Sequence, residues 1–215
     1  MSMIDNFDLI KPLFYFNEGN DMFMHLQVIR RGKDHPDLPC ANRTMQTYYV
    51  QSKQHLEKIK DEVIQLCEIH GARAYINLAG KDFERLAKLA NFKLSERIYN
   101  GDFKKIHKVF NSAAGELKSR TTRWVIDIDD ISYKEKVLKW LDEYFEQDLD
   151  NGFHGKTTRM FYLKAEIPTK NGLHLIIERG FNLQKFKEAF PEIDVHKNNP
   201  TILYIPKSLD NGKSN

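Results

Sequence analysis

Four side chains define the chemistry this chain is equipped to do: Asp127, Asp129, His174 and Asp194. The first two stand two apart in Trp124-Val125-Ile126-Asp127-Ile128-Asp129-Asp130. The apolar members of that run are β-branched or aromatic, so it reads as a strand over 123–129. Side chains alternate along a strand. Asp127 and Asp129 therefore share one face, and Trp124, Ile126 and Ile128 share the other, which is expected to pack on helices while the acidic face stays open. Two carboxylates on one face repel each other unless a cation neutralises them, and Mg²⁺ or Mn²⁺ favour such oxygen ligands. The alternative, acids that merely keep a strand soluble, weakens where valine and isoleucine mark a central strand.

The elements that follow bring the other two residues to the same place. The chain reads as a strand at 123–129, a helix at 133–149, strands at 160–167 and 173–178, a helix at 182–190 and a strand at 193–196. This βαββαβ order is the ferredoxin-like, or RRM-like, split βαβ arrangement. Its usual strand order places the first and third strands in the middle and the fourth beside the first. The third and fourth strands then run antiparallel to the first. Their starting segments, Gly172-Leu173-His174 and Ile193-Asp194, fall beside Asp127 and Asp129. Three carboxylates at one point suit a pair of divalent ions, which stabilise the attacking and leaving oxygens of nucleotidyl transfer. Lys170 precedes the Asn171-Gly172 turn, within reach of a phosphate, and Gly172 leaves room for backbone N–H groups to approach the same group. The catalytic, metal-binding set is thus Asp127, Asp129 and Asp194, and the nucleotide-binding set is His174, Lys170 and Gly172.

The first half reads as a mixed αβ lobe. A strand is expected at 22–31, followed by a polar loop closed by Pro36 and Pro39. A short strand lies at 48–50. Ser52 caps a helix carrying Leu56, Ile59, Val63, Ile64 and Cys67 at helical spacing, and Gly71 ends it. A strand at 72–78 and helices at 81–92 and 103–117 follow. A last strand at 201–205 comes after a turn at Asn198, Asn199 and Pro200. Turns are also expected at Asn151-Gly152 and Gly155, and a frayed tail from 210. The fold class is α+β: an αβ lobe over 1–118, a ferredoxin-like unit over 119–209 and a flexible tail over 210–215.

The totals agree with one catalytic domain. The chain has 215 residues, 41% hydrophobic and 29% charged, with a formal net charge of +3. That balance is globular and permits a polyanionic partner without demanding one. Lys104, Lys105 and Lys108, or Lys118, Arg120 and Arg123, are candidate basic patches; each is equally a solvated helix face. Two cysteines make no disulfide framework and point to a reducing compartment. Cys67 and His70 have the spacing of half a zinc site, with His35 and Cys40 as the other half; a buried structural Cys67 is the simpler account. No stretch has the length of a membrane span and the start does not read as a signal peptide, so a cytoplasmic protein is expected.

The motifs resemble those of the archaeo-eukaryotic primase superfamily, the primase–polymerase catalytic domain. Ile126-Asp127-Ile128-Asp129 matches its hydrophobic strand with Asp-x-Asp, Gly172-Leu173-His174 matches its small-x-His turn, and Ile193-Asp194 matches its hydrophobic-Asp segment. Residues 202–209 are similar to a closing segment of that family, except that Tyr204 stands where many members have arginine and Lys207 where glycine is common. The resemblance covers 123–209, with the first half fitting as the family's N-terminal lobe. It implies a palm in which the acids bind catalytic Mg²⁺ or Mn²⁺, His174 contacts the incoming nucleotide, and Lys170 holds its triphosphate. It further implies nucleoside or deoxynucleoside triphosphate substrates, a single-stranded DNA template, a separate helicase, and a phage or mobile-element origin. Arg30, Arg31, Arg73 or Lys118 would then track template phosphates.

Four other readings bear on the same residues. A relaxase-type endonuclease needs paired histidines, but His174 is followed by Leu175 and Ile176. A non-catalytic RNA-recognition module needs aromatics where Asp127 and Asp129 stand. A cyclase-type palm gives no reason for the Gly172-Leu173-His174 turn. A catalytically degenerate, nucleic-acid-binding replication accessory protein is kept open by Tyr204.

Overall fold

Alternating apolar residues build one sheet on the first half of the chain. In β2 (Met22–Arg30), Met24, Leu26 and Val28 are fully buried on one face. In β4 (Arg73–Asp82), Ala74, Ile76 and Leu78 continue that face. The two strands pair antiparallel. Against them lies α2 (Lys53–His70), whose Leu56, Ile59, Val63 and Cys67 form the buried stripe. Ser52 opens the helix by accepting the His55 N–H at 3.0 Å, and Gly71 closes it in the left-handed region at φ 52°. The thiol of Cys67 lies in this core, not on a metal-facing surface, and burial pushes its pKa up to about 12.

The structure, a computed structural model, describes residues 3–17, 19–37, 42–150 and 159–210. Pro39, Cys40, the turn at Asn151-Gly152 and Gly155, and the tail from 211 lie outside them.

The second sheet comprises β5 (Trp124–Ile128), β6 (Leu163–Pro168), β7 (Leu173–Ile177) and β8 (Asp194–Lys197). Its order is β6-β7-β5-β8, so the first and third strands of the unit are central and the fourth lies beside the first. All its pairings are antiparallel. Two helices cover one face, α5 (Lys134–Asp150) and α6 (Leu183–Ala189). Val137, Leu138, Leu141 and Phe145 of α5 meet Ile126, Ile128, Leu175 and Ile177 there. Trp140 anchors a cluster with Phe181, Phe186 and Phe190 at centroid distances of 5.2–6.5 Å. Asn182 Oδ1 caps α6 by accepting from the Lys185 N–H at 3.0 Å.

The chain then leaves this sheet. After Asn198, β9 (Thr201–Ile205) pairs with β4 and with β1 (Ile4–Asp5), which precedes α1 (Phe7–Ile10). With β3 (Arg43–Val50) on the far edge, the first sheet has the order β1-β9-β4-β2-β3. The boundary at 118/119 therefore follows the chain but not the sheets. The molecule is mixed α+β with two antiparallel sheets, and one core spans both: Val125, Ile167 and Ile176 pack with Met24, Ile76 and Leu203. The buried amide of Asn6 ties the two, donating to the carbonyls of Pro168 (2.9 Å) and Ile202 (3.0 Å).

Several elements differ from the sequence reading. β3 is a full edge strand, not three residues, because backbone pairing to β2 needs no apolar alternation at Arg43–Thr47. β4 runs on to Asp82, whose carboxylate caps α3 (Phe83–Tyr99) by accepting the Arg85 N–H at 3.0 Å. The single helix expected at 103–117 is instead a loop, a 3-10 turn at Ile106–Lys108 and α4 (Val109–Glu116). Left-handed Lys105 (φ 58°) breaks the run. The strand expected from residue 160 starts at Leu163, after a 3-10 turn at Arg159–Phe161. Among the described residues no helix is long and apolar enough to cross a membrane.

Candidate active site

β5 splits its residues between two faces. Ile126 and Ile128 face α5 and α6, while Val125 and Asp127 face the other way. That second face is not open along its length. Val125, Ile176 and Ile167 are sealed against the first sheet, and only the end carrying the acids reaches the surface. At that end His174 of β7 and Asp194 of β8 are the direct cross-strand partners of Asp127, one on each side. Opposed residues in such pairs hold their Cβ atoms about 5 Å apart. Asp129 follows one residue beyond β5 and is exposed.

His174 is clamped in this row. Its Nε2 lies 3.3 Å from Asp127 Oδ1, and its Nδ1 lies 2.8 Å from Thr201 Oγ1. A neutral ring satisfies both contacts with the proton on Nε2, donated to Asp127, and Nδ1 accepting from the Thr201 hydroxyl. Only 12% of the His174 side chain is exposed, against 35% for Asp127. The hydrogen bond from His174 holds the Asp127 carboxyl below its usual range; burial opposes the shift, and the electrostatic influence of His174, His196 and Lys33 adds to it. Thr201 is a site residue with no motif of its own. It is reachable only because β9 crosses into the first sheet.

Gly172 is required by a backbone contact. A Cβ placed there would lie 1.8 Å from the carbonyl oxygen of Ile128 and 2.9 Å from that of Asp129. Its N–H is donated to Thr169 Oγ1 at 3.2 Å. The close approach that Gly172 permits is thus to the end of β5, which presses the His174 turn against the acidic turn. The sequence reading had assigned that approach to a phosphate.

The first sheet supplies a second wall. A cavity of about 290 Å³ is lined by Asp127, Asp129, His174 and Lys170 from the second sheet and its β6–β7 turn, and by Arg31, Lys33 and Arg73 from β4 and the segment after β2. Lys170 donates to the Leu209 carbonyl at 3.3 Å. Arg31 Nη1 donates to Tyr75 Oη at 3.1 Å. Arg73 Nη2 reaches Asp34 Oδ1 at 2.5 Å, with only 7% and 10% of those side chains exposed. Arg73 Nε and Asp34 Oδ2 are buried without a hydrogen-bond partner. Of the basic residues expected to follow a nucleic acid, Arg31 and Arg73 line the cavity, while Arg30 and Lys118 do not. Lys33 and Tyr75 join the site from the structure alone. Tyr204 is not in it: the ring is buried and its hydroxyl donates to Glu68 at 2.7 Å.

Asp127 and Asp129 also border a smaller hollow of about 130 Å³, completed by Asp130, Tyr133, Glu192 and Asp194. Glu192 was not singled out in the sequence, although it directly precedes Ile193-Asp194. Asp194 is turned toward Lys187 at 3.3 Å and its side chain is 70% exposed. As the side chains stand, no three His, Cys, Asp or Glu groups among the described residues converge on a metal position. The donor set at this sheet end is nevertheless all carboxylate oxygen, which fits a hard divalent cation. No family model, no curated protein and no solved structure matches the chain.

Proposed function

We propose that the chain is a template-directed nucleotidyltransferase of the primase–polymerase type, with the βαββαβ unit as its palm. The observation that carries this reading is one cavity lined both by two carboxylates, Asp127 and Asp129, and by four cations, Arg31, Lys33, Arg73 and Lys170. Carboxylates alone fit a metal, and cations alone fit an anion. Both lining one space fit a polyphosphate bound together with divalent cations. Asp127, Asp129 and Asp194 would hold Mg²⁺ or Mn²⁺, which when bound neutralises charge on the transferred phosphoryl group and lowers the barrier to nucleophilic attack on it. Lys170, Arg73, Arg31 and Lys33 bind and orient the triphosphate. His174, fixed by Thr201, donates a hydrogen bond from Nε2, either to Asp127 or to an incoming phosphate oxygen.

The partners that follow are a nucleoside or deoxynucleoside triphosphate, a single-stranded DNA template and a separate helicase. The archaeo-eukaryotic primase resemblance of 123–209 supports the same reading. One observation favours the second reading, a degenerate nucleic-acid-binding accessory protein: Asp194 is engaged by Lys187. The two are separated by measuring incorporation of labelled nucleotides on single-stranded and primed DNA with Mg²⁺ or Mn²⁺. Metal-dependent products that vanish in Asp127→Ala/Asp129→Ala are expected. An intact, DNA-binding protein that makes no product with either metal overturns the enzymatic reading.

A further inference from the structure

A second surface stands apart from the acidic cavity and carries different chemistry. Over residues 93–108 there are five cations, Lys93, Arg97, Lys104, Lys105 and Lys108, against two carboxylates, Glu96 and Asp102. That excess of three equals the net charge of the entire chain, so the remainder is neutral on balance. Lys93 and Arg97 are engaged, with Glu116 at 2.6 Å and Asp102 at 3.5 Å. Lys104, Lys105 and Lys108 are exposed and have no carboxylate partner among the described residues.

Large aromatics interleave with these cations. Tyr99, at the end of α3, is 91% exposed; Phe103 is 65% exposed, and Phe92, about two helical turns before Tyr99, is also 65% exposed. Solvated lysines account for themselves, but three bared rings among them do not. The loop that displays them is held in shape. Arg97 Nη1 donates to the Lys104 carbonyl at 2.8 Å, and the Asp102 N–H donates to the Arg97 carbonyl at 2.9 Å. Between α3 and α4 the same segment leaves a hollow of about 440 Å³ bordered by Lys93, Arg97, Lys105 and Lys108 and by the carboxylates of Glu96 and Glu116.

The location is remote from the acids. β4 leads from Arg73 at the acidic cavity to Asp82, where α3 begins, roughly 30 Å at a strand's rise. Phe110 and Asn111 of α4 touch Tyr49, next to the end of β3 that lies opposite Met24, not the end beside Arg30.

We infer that this α3–α4 face is a binding platform for single-stranded nucleic acid, with bases stacked on Tyr99 and Phe103 and phosphates held by Lys104, Lys105 and Lys108. Exposed rings take unpaired bases of any sequence, and unpaired lysines release counterions from the phosphate backbone. A duplex hides its base faces and uses only the lysines. An acidic protein surface would account for the lysines but leaves the rings without a stacking partner. The platform goes beyond the catalytic reading and does not depend on it.

The experiment is fluorescence anisotropy of a labelled single-stranded oligothymidylate, without nucleotide or divalent metal, over a range of salt. The variants are Tyr99→Ala/Phe103→Ala and Lys104→Ala/Lys105→Ala/Lys108→Ala, with folding checked by circular dichroism. The aromatic variant is expected to bind at least tenfold more weakly with an unchanged salt slope. The lysine variant is expected to lower the log–log salt slope by about 2, at about 0.7 per phosphate contact on a single strand. Wild type should prefer the single strand to a duplex of equal length. Wild-type affinity in both variants, or equal affinity for single strand and duplex, overturns the platform. Because the assay contains no nucleotide or metal, failure of the catalytic reading leaves its outcome unchanged.

Discussion

Gly172 shows at the scale of one residue how the site is assembled. The acidic turn after β5 and the His174 turn before β7 can lie side by side only because position 172 has no side chain: the Ile128 carbonyl occupies the space of a Cβ. This is a backbone contact, so no rotamer change relieves it. Gly172→Ala is expected to destabilise the fold by about 2 kcal/mol or more, within the range of forced overpacking. It should also displace His174 from Asp127. Urea unfolding followed by chemical-shift comparison of the His174 ring reads both effects; a variant as stable as wild type with an unmoved ring contradicts the packing role. The glycine was legible in the sequence as part of Gly172-Leu173-His174, but the atom it accommodates was not, since that atom belongs to a strand 44 residues earlier. Thr201, Lys33 and Tyr75 were illegible for the same reason. None carries a local pattern: Thr201 and Tyr75 reach the site through sheet pairing, and Lys33 through the 3-10 turn that follows β2.

At the scale of elements, what could be read was whatever depends on neighbours in sequence. Ser52 and Asn182 cap helices as their side chains and positions indicate. α5 and β5 bury the residues that their periodicities select. The segment 103–117 misled because its apolar spacing looks helical, while its first residues are held as a loop by Arg97, a residue on the preceding helix. The layer formed by α3 and α4 has a cost that appears in solution. Beneath it, His25 of β2 is 6% exposed and its Nε2 has no partner, and Lys81 of β4 donates to the Ala114 carbonyl at 2.5 Å. Burial, aided by the charge of Lys81, lowers the His25 pKa from 6.5 to about 4. The folded state thus keeps the ring neutral where the unfolded chain takes up a proton. Stability is full above about pH 7 and is lost as pH falls from 6.5 toward 4, amounting to about 2 kcal/mol at pH 5. Unfolding at pH 7.5 and pH 5.0 is expected to show that loss in wild type, reduced in His25→Gln. Equal losses in the two proteins contradict the buried neutral ring.

At the scale of the whole molecule, the crossing of β9 sets the arrangement. A unit reading of 119–209 anticipates a palm with its acidic face open. Instead β9 returns to the first sheet, Asn6 clips the sheets together, and most of that face becomes shared core. What stays accessible is the end of the face, and there the basic residues of β4 and of the loop after β2 oppose the carboxylates of β5. Neither half of the chain contains this cavity alone. Its acidic part was legible because Asp127, Asp129 and His174 sit at readable places on the ends of two strands, β5 and β7, with Asp194 of β8 in the adjoining hollow. Its basic residues were legible as Lys170 before the Asn171-Gly172 turn and as scattered candidates, of which Arg31 and Arg73 reach it.

The central claim is that one cavity holds divalent metal on its carboxylates and polyphosphate on its basic residues. Titration of Mn²⁺ followed by electron paramagnetic resonance, with and without a deoxynucleoside triphosphate, tests it most directly. Wild type should bind Mn²⁺ more tightly with nucleotide present, Asp129→Asn should lose metal binding in both conditions, and Arg73→Leu/Lys170→Ala should keep metal binding yet lose the gain from nucleotide. Mn²⁺ affinity unchanged in folded Asp129→Asn, or a nucleotide effect that survives loss of Arg73 and Lys170, would contradict the account.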